Sequence, residues 1–183
     1  MGFGCGAEEK RTKKKINSNI SEEKIINMNK KSSEFNILDK ALNEHNKYRS
    51  YHNCKPLSLN NELCELAQKY AKECAKAKNI IHFNDLYNGD IIGQNISVID
   101  IDYFDVKEIC KKWYYEKNNY KFYSNKYIEG TGHFTQLIWK ETKLVGFGYK
   151  EDNNGKLYFV ANYYPAGNIF SEFEKNVPFL LNQ

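Results

Sequence analysis

The sequence predicts a layered α+β domain over residues 36–183. Several segments repeat apolar residues at helical spacing, and two later β-rich runs flank Asp152-Asn153-Asn154-Gly155, a strong hairpin-turn signal. With 183 residues, of which 41% are hydrophobic, the chain is long enough for one well-buried domain and too short for two comfortable ones. Helices mixed with antiparallel strands favour the α+β class.

Apolar residues that recur every three or four positions predict the helices. The first helix runs from about Asn36 to Tyr51, and Asn60 or Asn61 is a candidate N-cap for the second. A third helix follows, and then a short one over 132–140. The side chains expected on the buried faces are Ile37, Leu38, Ala41, Leu42, His45 and Tyr48 in the first helix, Leu63, Ala67, Tyr70, Ala71 and Cys74 in the second, and Val106, Ile109, Cys110 and Trp113 in the third.

Runs of β-branched and aromatic residues predict the strands. They cover Ile91–Val98, Leu144–Lys150 and Leu157–Tyr164, and the turn signal between the last two makes them a hairpin. The segments Asn79–Gly93 and Asn118–Gly130 show no clear period. We therefore expect these two segments to be loops.

The sequence also predicts whether five particular side chains are buried and what they do there. Trp113 and Trp139 are expected to anchor it, and Cys110 to pack as a small hydrophobic residue rather than act as a nucleophile. His45 lies on the buried side of the first helix and is expected to be a hydrogen-bonded structural histidine. His52 is expected to be exposed. The sequence also contains no G-x-S-x-G motif of a serine hydrolase.

Residues 1–35 are predicted to be a basic, mostly disordered tail. Within them, residues 1–15 contain five basic and two acidic residues, so most of the net charge of +4 lies there. A nucleic-acid-binding domain would carry its positive charge on the folded part, and we expect no nucleic acid partner. A short basic tail favours an anionic membrane surface. The alternative is a solvated tail without a partner.

The first residues are typical of an acylation site. Gly2 follows Met1 and is a candidate for myristoylation, and Cys5 is a candidate for palmitoylation. Gly6 stands where Ser or Thr is usual. Because a single myristoyl chain binds membranes only marginally, Cys5 and the Lys10–Lys15 cluster would supply the second signal that stable anchoring needs. An unmodified start is the alternative.

No apolar stretch reaches the roughly 20 residues needed to span a bilayer, and no signal-peptide core follows Met1. The five cysteines are odd in number and lack the spacing of metal ligands. They are therefore expected to be reduced thiols of a cytosolic protein.

Four ordered motifs resemble the CAP superfamily (the SCP domain of cysteine-rich secretory, antigen five and pathogenesis-related class 1 proteins). The segment Gly132–Trp139 matches the G-H-F-T-Q signature, and Asn162–Ile169 resembles the second signature, N-Y-x-P-x-G-N. Glu44–Arg49 resembles the opening helix of the family, and Gly93-Gln94-Asn95 stands at the usual G-E-N. Ala161 replaces the cysteine of secreted members, so the chain resembles the cytosolic, membrane-attached Golgi-associated plant pathogenesis-related group. A secreted protein is the alternative.

The resemblance implies a three-layer α-β-α sandwich with a central antiparallel sheet and an open cleft. Carried over by position, the cleft residues are His82, Gln94, Glu116 and His133. His82, Glu116 and His133 are then candidate ligands of a divalent metal such as zinc. The amide of Gln94, where relatives have Glu, adds no negative charge and cannot act as a general base. The implied metal site would be weaker, and a hydrolytic mechanism has less support.

The favoured function is therefore non-enzymatic binding of membrane lipid or sterol at the cytosolic face of a membrane. The aromatic stretch Tyr120–Tyr127 offers apolar surface for such a ligand, and ordinary loop packing is the alternative for that stretch. A protein-interaction module, which acts through a homodimer or through cleft binding, is the second hypothesis. A metal-dependent hydrolase is the third.

Overall fold

A four-stranded sheet lies between two layers of helices in the computed structural model, which describes residues 37–181. The spatial order of its strands is β1 (Ser58–Leu59), β5 (Leu144–Glu151), β6 (Lys156–Tyr164) and β4 (Gly93–Asp100). Strand β6 pairs antiparallel with both β4 and β5, and the two-residue β1 pairs parallel with β5. The sheet is therefore mixed at one edge and antiparallel elsewhere.

Helix α2 (Asn61–Ala77) covers one face of the sheet. The opposite face is covered by α1 (37–50), α3 (Val106–Tyr115) and α4 (Gly132–Leu137). A short α5 (Phe173–Asn176) follows the sheet. The expected three-layer α-β-α sandwich is confirmed.

Strand β6 divides the core into its two halves. Phe159 and Tyr163 pack with α1, α3 and α4, whereas Tyr158 and Val160, which alternate with them, pack against α2. A strand that is covered on both faces needs an apolar residue at nearly every position. This explains why the segment appears in the sequence as a continuous β-rich run.

The helix ends follow local chemistry. Asn60 is the N-cap of α2, because its side chain accepts a hydrogen bond from the Leu63 N–H at 2.9 Å. Helix α4 ends at Leu137, three residues earlier than expected. The buried guanidinium of Arg49 binds the carbonyls of Leu137 and Trp139 and so holds the chain in a non-helical path after that point.

Two segments expected to be loops contain short regular elements. A separate hairpin, β2 (Leu86–Tyr87) and β3 (Asp90–Ile91), lies within the first loop. The second contains the 3-10 turn Phe122–Ser124, and another turn, Glu116–Asn119, extends into it. Elements of two to four residues are too short to show a period, so a pattern of apolar residues does not reveal them.

The expectation that His52 is exposed is wrong. The residue is buried, and its Nδ1–H donates to the Pro178 carbonyl at 2.8 Å. Nε2 then accepts from the Tyr114 hydroxyl at 3.2 Å. The chain turns directly after α1, and this turn places His52 beneath the C-terminal segment that contains Pro178.

The cysteines and tryptophans of the described residues behave largely as expected. Cys54, Cys64, Cys74 and Cys110 are all free thiols. Trp113, Trp139 and Cys110 are buried, as predicted. No helix within residues 37–181 is long and apolar enough to cross a bilayer. Gly2, Cys5 and the rest of the basic tail lie outside the described residues.

Candidate functional site

Glu116 and His133 form the most direct polar contact among the predicted site residues. Glu116 follows the last residue of α3, and His133 is the second residue of α4. His133 Nδ1 and Glu116 Oε1 are 2.6 Å apart, so the ring N–H donates to the carboxylate. The histidine side chain is 38% exposed, and Nε2 is the ring nitrogen that Glu116 does not engage.

The pair is held in place by its surroundings. The second oxygen of Glu116 accepts the backbone N–H groups of His133 and Phe134 at 3.0 and 3.1 Å, so the carboxylate also caps α4. Trp113 stacks against the His133 ring, with 5.7 Å between centroids, and its indole N–H donates to Ser97. The imidazole therefore has a fixed ring plane and a fixed tautomer.

A buried chain of hydrogen bonds connects the sheet to α4. The Asn95 amide donates to the His133 carbonyl at 3.0 Å and to the Tyr163 hydroxyl at 3.1 Å. His45 Nδ1–H donates to the Ala41 carbonyl at 2.7 Å, so its Nε2 accepts from the Tyr163 hydroxyl at 2.7 Å. The expected structural role of His45 is confirmed, and the neutral ring is part of this chain.

Stability is expected to fall on acidification because of His45. Burial lowers its pKa from 6.5 to about 4. Between these values only the unfolded chain binds the proton, so folding loses about 3 kcal/mol as the pH drops from 7 to 4, and none is lost as the pH rises. Burial also lowers the pKa of His52, which acts in the same direction. Chemical unfolding of the wild type and of His45→Gln at several pH values measures the effect.

The His45→Gln protein should be less stable at pH 7 and should show a flatter slope between pH 4 and 6.5. His82→Gln is the matched control, since that side chain is exposed. Equal slopes for the wild type and His45→Gln would contradict the assignment of the acid sensitivity to His45.

Gln94 lies on the other face of the sheet from Asn95. Its Oε1 accepts the Phe83 N–H at 3.1 Å, and the Phe83 ring stacks on Tyr70 of α2 with centroids 4.3 Å apart. Gln94 therefore holds the segment that carries His82. No hydrogen bond or ion pair of the described side chains joins His82 or Gln94 to Glu116 or His133. That all four line one cleft stays a prediction.

A zinc site at His82, Glu116 and His133 stays a prediction. Both oxygens of Glu116 are engaged, and residues 37–181 contain no group of three or more His, Cys, Asp and Glu side chains placed to hold a metal. Glu116 instead resembles the carboxylate that orients a ligating histidine from behind. His133 offers one nitrogen ligand, and the predicted metal site depends on an approach of His82.

A groove opens beside the aromatic stretch that the sequence singled out. Its cavity volume is about 570 Å³. The Phe122 ring stacks on Phe179 and meets Tyr120 edge to face, with 5.1 Å between centroids in both pairs. The buried Ser124 hydroxyl has no hydrogen-bond partner among the described residues. The residues that line the groove are Tyr120, Lys121, Phe122, Tyr123, Ser124 and Phe179.

The sequence did not reveal three residues that matter here. Asn95 and Tyr163 belong to two of the family motifs, but neither residue is assigned a role from the sequence. Strand alternation could have indicated the position of Asn95, since it places this residue on the same face as Ser97, toward α4. Phe179 is 55 residues or more from the rest of the groove and gave no signal. Such a distant contact depends on the path of the chain.

Comparison with known proteins identifies the family. A family model described as CAP, the cysteine-rich secretory protein family, matches residues 42–163. Golgi-associated plant pathogenesis-related protein 1 of Homo sapiens is 36% identical over 149 residues, which cover 80% of this chain and 96% of the relative. Pathogenesis-related protein 1A of Nicotiana tabacum is 30% identical over 133 residues, which cover 72% and 76%.

Solved structures show the same fold at low identity. The venom allergen-like protein 4 of Schistosoma mansoni aligns with a TM-score of 0.53 and 22% identity, over 74% of this chain and 96% of that one. NaASP2, solved with Zn²⁺, aligns with a TM-score of 0.51 and 22% identity, over 72% and 80%. The family model and the 36% identical human relative show that the chain belongs to the CAP family of cysteine-rich secretory proteins.

Proposed function

We propose that this chain is a non-catalytic CAP domain that binds a lipid or sterol at a membrane surface. The observation that carries the proposal is the aromatic groove. Its volume of about 570 Å³ falls within the roughly 300–1,000 Å³ of small-molecule sites. Aromatic side chains around an open groove leave apolar surface in contact with water, and a groove of this kind is typical of a site for an apolar ligand.

The chemistry of the groove suits an amphipathic ligand. Its walls are mainly rings, which would pack against a hydrocarbon skeleton. The ammonium group of Lys121, which lines the groove, is available to the hydroxyl or acid group of the ligand. This combination favours a sterol or a fatty acid over a fully polar metabolite.

The Glu116–His133 pair gives catalysis little support. Glu116 orients the imidazole as the carboxylate of a catalytic triad does, and the His133 side chain is partly exposed. However, the carboxylate is also fixed as a cap, and residues 37–181 contain no group of three or more His, Cys, Asp and Glu side chains placed to hold the zinc that a hydrolytic mechanism would use. We therefore assign the pair to holding α4 beside α3.

Association with a membrane has two supports. The human relative that is 36% identical is named as Golgi-associated. Gly2, Cys5 and the Lys10–Lys15 cluster are suited to a lipid anchor on an anionic, cytosolic leaflet. Homodimerisation through a protein-interaction surface stays the alternative function.

The Ser124→Leu substitution should block the groove. The larger side chain fills the space beside Phe122 and Phe179, so the affinity for a fluorescent sterol or fatty acid should fall by at least about tenfold. Fluorescence titration with monomeric ligand, in the absence of vesicles, measures it. Because the Ser124 hydroxyl is buried, the leucine also crowds its neighbours, and the melting temperature should fall by a few degrees. Both proteins are therefore titrated at a temperature at which they are folded.

Tyr103→Ser is the matched control, since this tyrosine is 75% exposed and lies outside the groove. It should bind the same ligands as the wild type. Equal affinity of the wild type and Ser124→Leu, or no saturable binding by the wild type, would contradict the proposed function.

A further inference from the structure

Four exposed apolar side chains lie on chain segments that meet next to the groove, and they are here called the C-terminal apolar face. They are Tyr51, Tyr123, Phe179 and Leu181, with exposed fractions of 42%, 89%, 45% and 51%. The rings of Tyr123 and Phe179 are 5.1 Å apart, and the Leu181 N–H donates to the Tyr51 carbonyl at 2.9 Å. Leu181 is two residues from Phe179, so the backbone brings the four residues to the same end of the groove.

The charges around this face are mainly positive. Tyr51 also lines a neighbouring groove with three lysines (Lys47, Lys107 and Lys111) and two glutamates (Glu44 and Glu108), so lysines are in excess there too. Three segments build it, residues 51–55, 117–127 and 177–181. They contain no Asp or Glu. Their charged residues are Lys55, Lys117, Lys121 and Lys126. Residues 37–181 as a whole carry nearly equal numbers of both signs, so this local excess of positive charge is specific to the face.

We propose that the C-terminal apolar face docks on an anionic lipid bilayer, with Tyr123, Phe179 and Leu181 at the depth of the headgroups. Tyrosine and other amphipathic aromatic residues favour this depth, because the ring is apolar and the hydroxyl stays hydrated. Lysines beside apolar residues add attraction to anionic lipids. The excess of lysine around the face favours this occupant over a neutral or basic protein partner.

This orientation rests on the proposed function and extends it. With the face on the bilayer, the groove opens beside the headgroups, since Tyr123 and Phe179 belong to both. Tyr51 and Leu181 belong to the face but do not line the groove. Substitutions at these two positions therefore separate docking on the bilayer from binding of a ligand.

The test uses the full chain with Gly2→Ala, so that no myristoyl chain contributes, and vesicles of phosphatidylserine and phosphatidylcholine. Adding Tyr51→Ser and Leu181→Ser should lower the vesicle partition coefficient by at least about tenfold. Adding Lys121→Gln instead should lower it about fivefold. The matched control carries Tyr103→Ser and Ile91→Ser, also one exposed aromatic and one exposed aliphatic residue, and should bind as the parent does.

Tryptophan fluorescence measures the depth directly. The native Trp113 and Trp139 are buried, so a new tryptophan reports on its own surroundings. Leu181→Trp should shift to the blue on vesicles and be quenched by brominated lipid, whereas Tyr103→Trp should do neither.

The results distinguish the proposed ligand-binding groove from the proposed docking surface. If Ser124→Leu keeps full sterol affinity but the Tyr51/Leu181 variant loses vesicle binding, the groove proposal fails and the docking surface stands. If the Tyr51/Leu181 variant partitions like its control, the docking surface is overturned. It is also overturned if that variant changes a dimer into a monomer in sedimentation while vesicle binding is unchanged, because the face would then join two copies of the chain.

Discussion

Replacement of Arg49 by methionine is expected to destabilise the protein by at least about 4 kcal/mol, because each buried acceptor left without a donor costs about 1–3 kcal/mol. The guanidinium is fully buried, and its three nitrogens donate at 2.8–3.1 Å to four backbone carbonyls. These are the carbonyls of Lys55, Leu137, Trp139 and Thr142. The loss approaches the total stability of a typical domain.

Urea unfolding measures this loss, and Lys47→Met is the matched control on the same helix. Lys47 is half exposed and pairs with Glu44 on the surface, so its removal should cost less than about 1 kcal/mol. Arg49→Lys should lie between the two, because an ammonium has three donors and lacks the planar fork. A methionine variant as stable as the Lys47→Met control would show that Arg49 does not hold these carbonyls.

A Gly146→Ala substitution is expected to cost about 3 kcal/mol or more, because the added methyl group has no space. Its Cβ would lie 2.2 Å from the Leu63 carbonyl carbon and 2.3 Å from the Cys64 nitrogen, both in the backbone of α2. A backbone cannot rotate away as a side chain can, so α2 would have to move off the sheet. Gly148→Ala meets α2 in the same way, 2.3 Å from the Gln68 nitrogen.

Gly132→Ala is the control for this prediction. A Cβ at Gly132 would meet Tyr127 at 3.4 Å, an ordinary contact, and the residue lies in the first turn of α4. Thermal unfolding should place Gly132→Ala close to the wild type and Gly146→Ala far below it. Similar melting temperatures for the two variants would mean that α2 does not pack against the glycines of β5.

The long helices and strands, in which apolar residues recur regularly, could be predicted from the sequence. The stripe from Val106 to Trp113 is buried as expected, and the turn signal at Asp152–Gly155 does join β5 to β6. The helix predicted over 132–140 is three residues longer than α4. Propensity alone would continue that helix, but the bonds from Arg49, about 90 residues earlier in the chain, end it.

Of the candidate site, the sequence supplied the identities of Glu116 and His133 through the resemblance, and it supplied the aromatic stretch around Phe122. It did not supply their geometry. That Glu116 caps α4 as well as orienting His133 follows from how α3 and α4 meet. The position of Gln94 behind the sheet likewise follows from strand alternation once the register of β4 against β6 is known.

The sequence by itself determined the class of the fold, the family and the faces of the long helices, because periodicity and motifs are local properties of the chain. Only the tertiary structure decided that His52 is buried, that Phe179 completes the groove, and that Leu181 adjoins Tyr51. Each of these contacts joins segments far apart in the chain. Their formation depends on the path of the backbone around the core, which no local pattern of residues contains.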